Sequence, residues 1–67
     1  MKVAQYRYGT LVIDVEEYSI ANERCWEFYS PSGVCMSEKI MYATHLTGTD
    51  RIPSKDEVRS RIVTGKQ

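Results

Sequence analysis

Long apolar runs are missing from this sequence. Unbroken stretches of apolar residues reach only three or four, as at Leu11-Val12-Ile13. Neither a signal-peptide core nor a membrane-spanning helix is built from runs of that length. Cysteine is scarce too, with only Cys25 and Cys35 in 67 residues. Secreted domains of this size usually carry more staples. The expectation is a cytoplasmic protein with two reduced, half-buried thiols; a single Cys25–Cys35 bridge across a hairpin is the alternative. Net charge is also absent, nine cations balancing nine acids. Strong non-specific nucleic-acid binding feeds on net positive charge, so it is disfavoured.

Catalytic signatures are missing as well. There is no Gly-rich phosphate loop, no HExxH, no CxxC and no G-x-S-x-G elbow. A chain this short has little room to hold a reactive group and the residues that orient it. No enzymatic activity and no cofactor are expected. Cys25, Cys35 and His45 recur at intervals of ten. Structural zinc takes four ligands, usually with close pairs, and neither condition is met, so no metal site is expected.

What the sequence does contain is strand patterning. Residues 3–8 alternate, with Ala4, Tyr6 and Tyr8 on one face. Gly9-Thr10 gives a tight turn. Residues 11–18 set Leu11, Ile13 and Val15 on one face against Val12, Asp14, Glu16 and Tyr18 on the other, the half-solvated pattern of an antiparallel sheet. Residues 21–24 read as a polar connection. Residues 25–30 are a third strand, with Trp26 and Phe28 on one side and Cys25, Glu27 and Tyr29 on the other. Ser30-Pro31-Ser32-Gly33 suits a hairpin loop, because proline presets φ and glycine accepts a positive one. Residues 34–36 begin the return. Residues 37–46 fit either a short helix capped by Ser37 or an alternating strand, and the β-branched and aromatic content favours strand.

The C-terminal segment carries the clearest local signal. Pro53 stops the preceding element, Ser54 is an N-cap, and Glu57 completes an S-x-x-E capping box. Asp56 and Glu57 suit the positive end of the helix dipole and Arg61 the negative end. Val58 and Ile62 lie one turn apart, facing the sheet, and Gly65 suits the left-handed residue past the end. The expected helix covers about residues 54–64.

These elements predict one α+β domain over 1–67. Its sheet is a small antiparallel meander of three to five strands, with one C-terminal helix packed on it. An SH3-like small barrel is the alternative. The expected core is Val3 or Ala4 with Tyr6, Leu11, Ile13, Val15, Trp26, Phe28, Val34, Met36, Val58 and Ile62.

Charge is uneven along the chain. Residues 1–50 hold four cations against seven acids, net −3; residues 51–67 hold five cations against two acids, net +3. Asp14 and Glu16 point the same way from the second strand, forming an acidic patch for a basic partner. Arg51, Lys55 and Arg59 recur every four residues and would form a basic ridge. Tyr18 and Tyr29 lie opposite the apolar stripes and are expected to be exposed, and tyrosine is favoured at interfaces. Asp14, Glu16, Tyr18, Tyr29, Arg51, Lys55 and Arg59 are therefore the candidate partner-binding residues. They suggest a non-enzymatic protein-binding module, a small regulator or inhibitor of the kind common in phages and mobile elements, acting by occupying a partner's surface. Self-pairing into a homodimer would use the same patches. The alternative is a nucleic-acid-binding regulator using the basic C-terminal helix.

Overall fold

The alternating segments pair into hairpins. In the computed structural model, which describes residues 1–36, 41–42, 47 and 51–62, β1 (Lys2–Tyr8), β2 (Leu11–Ile20) and β3 (Glu23–Tyr29) form an antiparallel sheet. A two-residue strand, β4 (Met41–Tyr42), pairs with the outer edge of β3 at Trp26 and Cys25. The order is the open meander β1-β2-β3-β4, so the described strands do not close into the SH3-like barrel. Only residues 41–42 of the ambiguous 37–46 stretch are described, and these are strand. The remainder, including His45, lies outside the described residues.

The turns explain the strand lengths. Gly9 takes φ 65° as the first central residue between β1 and β2, the type II′ pattern that matches strand twist. Ala21 and Asn22 both take positive φ, 52° and 67°, the type I′ pattern. The turn is thus two residues rather than the four expected. Glu23 and Arg24 belong to β3, and Ser19 and Ile20 to β2. The Ser30–Gly33 loop closes with Gly33 at φ 95° and Ser30 bonded to the carbonyl of Val34. The return then pairs at Cys35, opposite Tyr29.

One sheet face carries the core. Ile13, Val15, Trp26 and Phe28 are fully buried on it, and Val58 closes over them. Full burial of each such side chain stabilises by about 1.5–3 kcal/mol. A bulge in β1 between Lys2 and Ala4 lets consecutive Val3 and Ala4 both pack inward, where strict alternation admits only one. Val34 leaves the expected core: it sits in the loop and is 59% exposed. Pro53 and Cys25 join the buried set instead.

The helix, α1 (Lys55–Arg59), is shorter than expected. Its start is as the sequence predicts: Ser54 Oγ accepts from the Glu57 amide, and Glu57 Oε1 accepts from the Ser54 amide at 2.7 Å. Its end comes early. Ser60 caps it, donating its hydroxyl to the Glu57 carbonyl, and the Arg61 amide bonds three residues back to Val58 in a tightened turn. Arg59, not Arg61, is therefore the cation of the last turn. The Ile62 amide still reaches the Val58 carbonyl, which keeps Val58 and Ile62 on the sheet side. Gly65 lies outside the described residues. Among the described residues no helix is long and apolar enough to cross a membrane.

Candidate functional site

Among the described residues an acidic cleft and a basic cleft lie outside the core. The acidic one lies on the sheet face opposite α1. Register sets it up: Asp14 pairs with Tyr29, Glu16 with Glu27, and Tyr18 with Cys25. All of these except Cys25, together with Pro31 and Gly33 of the loop, line a cleft of about 450 Å³. Asp14, Glu16, Tyr18 and Tyr29 were predicted from sequence, and the structure brings all four together.

Glu27 is the residue that sequence reasoning left out. Tyr29 donates to its Oε1 at 2.6 Å, and the charge of the same carboxylate reaches the Tyr18 phenol. Both phenols are pushed up to about 12. For Tyr29 the hydrogen bond to Glu27 dominates; for Tyr18 burial dominates and the Glu27 charge adds to it. Both tyrosines are half-buried, not exposed as the sequence pattern predicts. The signal for Glu27 was its place on the open face between Cys25 and Tyr29; its position directly across from Glu16 follows only from the register. Like charges directly opposite are unfavourable in a sheet. Glu16 is offset by the Met1 ammonium at 3.1 Å, and Asp14 by Gln5 at 2.8 Å and Lys2 at 3.8 Å.

The predicted basic ridge divides. Arg51 is not part of it, because its guanidinium forks onto both oxygens of Glu57 at 3.1 Å, bracing the capping box. The Ser54 amide first, and then that contact, hold the Glu57 carboxyl below its ordinary value. Lys55 and Arg59 instead meet Arg7, Tyr8 and Gly9 around a cleft of about 370 Å³. Two phenols fix this junction. Tyr6 donates to the Pro53 carbonyl at 2.6 Å and Tyr8 to the Lys55 carbonyl at 2.7 Å. The Lys55 ammonium folds back to 5.5 Å from the centroid of the Tyr8 ring. Arg7 had no signal in the sequence, since nothing there places β1 beside α1.

The thiols are free, Cys25 buried and Cys35 exposed. Cys35 pairs opposite Tyr29, four residues along β3 from Cys25. At strand rise that is roughly 13 Å, beyond the reach of a disulfide. Burial pushes the Cys25 thiol up. Among the described residues no three His, Cys, Asp or Glu side chains gather as metal ligands.

The chain matches no protein-family model, no curated protein and no solved structure. Function is therefore read from the chemistry of the two clefts.

Proposed function

We propose that this protein is a non-enzymatic docking module, a small regulator or inhibitor that occupies a basic patch of a partner protein with its acidic, tyrosine-lined sheet face. The observation that carries this reading is the cleft that Tyr18, Tyr29 and Glu27, with Tyr29 bonded to Glu27, share with Asp14 and Glu16, on the face that α1 does not cover. Lysine and arginine side chains suit such a surface twice over. Carboxylates give them charge-assisted hydrogen bonds, and phenol rings give them an electron-rich face. Tyr29 is already held in the free protein by its bond to Glu27, so little of its side-chain freedom is lost on docking. Tyrosine is also enriched among residues that dominate interface energetics.

Capture of partners by tagged protein from nuclease-treated lysate, read by quantitative mass spectrometry, tests the reading. A stoichiometric protein partner should survive nuclease, be lost with Asp14→Lys/Glu16→Lys, and be kept with Arg59→Gln. Recovery that needs nucleic acid, or that ignores charge reversal on the sheet face, would overturn it.

A further inference from the structure

The second cleft has no part in sheet-face docking, and its chemistry is the opposite. Arg7 comes from the end of β1, Gly9 from the turn after it, and Lys55 and Arg59 from α1. Among the described residues none of the three cations forms an ion pair, whereas Arg24 and Arg51 are committed to Glu17 and Glu57. Cations gathered in one cleft repel one another, a cost offset by the Tyr6 and Tyr8 hydrogen bonds to the α1 segment and by the charge of Asp56, which reaches Tyr8. The floor is open: an added Cβ on Gly9 would meet no atom within 4 Å. Arg59 lies near enough to Tyr8 to counter the upward push on its phenol from burial, Tyr6 and Asp56.

We propose that the cleft lined by Arg7, Tyr8, Gly9, Lys55 and Arg59 binds the compact, multiply charged phosphate group of a small molecule, of the diphosphate type. At about 370 Å³ it has room for such a group together with the small molecule that carries it, and Arg7, Lys55 and Arg59 supply cations for its oxygens. An extended nucleic-acid strand is matched less well. It needs a basic track, but Arg51 is taken up by Glu57, the exposed carboxylate of Asp56 stands beside Lys55, and the open sheet face is acidic.

The test is an amide-resolved NMR titration of the full chain with pyrophosphate at constant ionic strength, with sulfate and a short single-stranded oligonucleotide as parallel arms. The expected result is saturable shifts confined to residues 7–10 and 55–59, with pyrophosphate ahead of sulfate. Arg7→Gln and Arg59→Gln, both at exposed positions, should each weaken binding roughly tenfold while leaving the rest of the spectrum unchanged. Shifts that do not saturate, or that persist equally in both variants, would overturn the proposal. So would an oligonucleotide that binds tighter than pyrophosphate with a salt slope of more than three phosphate contacts, which would assign the cleft to nucleic acid.

Discussion

Tyr8 and Lys55 grip each other twice: the phenol donates to the Lys55 carbonyl at 2.7 Å, and the Lys55 ammonium returns over the phenol's own ring. With the Tyr6–Pro53 bond, this is what docks the C-terminal segment on β1. Removing the hydroxyls tests it. Tyr8→Phe should cost about 1 kcal/mol, and Tyr6→Phe about 2 kcal/mol, because the latter leaves a polar group unpaired at the buried Pro53. Urea unfolding should show lower midpoints at an unchanged slope.

The β2–β3 turn stores removable strain. Ala21 sits at φ 52°, where a residue with a Cβ is disfavoured and where type I′ turns prefer Asn followed by Gly. Replacing Ala21-Asn22 by Asn-Gly should stabilise the fold by about 1 kcal/mol, seen as a raised thermal midpoint.

Acid sensitivity should track Glu57. Its carboxyl is held below its ordinary value of 4.5 in the folded state, first by the Ser54 amide and then by Arg51. A lowered folded-state value contributes stability that is complete above the unfolded value and is lost as pH falls through the folded one. Glu57→Gln should therefore flatten the decline in stability below about pH 4.5 while lowering stability at neutral pH. Denaturant midpoints across pH 3 to 7, for both proteins, check this.

Alkaline titration separates the two cleft tyrosines. Both are raised to about 12 from an ordinary 10. A raised folded-state value gives stability that is full below pH 10 and declines as pH climbs from there through 12. Glu27→Gln removes the main cause for Tyr29 but a lesser one for Tyr18, which is dominated by burial. Phenolate absorbance, followed in Tyr18→Phe and Tyr29→Phe backgrounds, should show Tyr29 falling further toward 10 than Tyr18.

The strands were legible because alternation is local: Ile13 and Val15 against Asp14 and Glu16 already define two faces. Ser54 and Glu57 were legible for the same reason, being three residues apart. What escaped depends on registers between distant segments. Glu27 joins the acidic cleft because β2 and β3 pair so as to set it opposite Glu16, and Arg7 joins the basic one because phenols reach carbonyls 47 residues away. Arg51 carried the spacing of a ridge, but its choice of Glu57 over solvent is a geometric outcome that spacing does not encode. Cys25 lies on the open face by alternation yet is buried, since a strand's period says which side a residue faces and not what lies over it.

The tyrosine pegs also set the order in which a growing chain finishes itself. The β1–β2 and β2–β3 ladders are complete once Tyr29 has been made, whereas the Tyr6 and Tyr8 hydroxyls wait for Pro53 and Lys55. Yet a nascent chain at that stage presents Ile13, Val15, Trp26 and Phe28 without Val58 over them, an adhesive sheet that is sealed only after synthesis reaches α1.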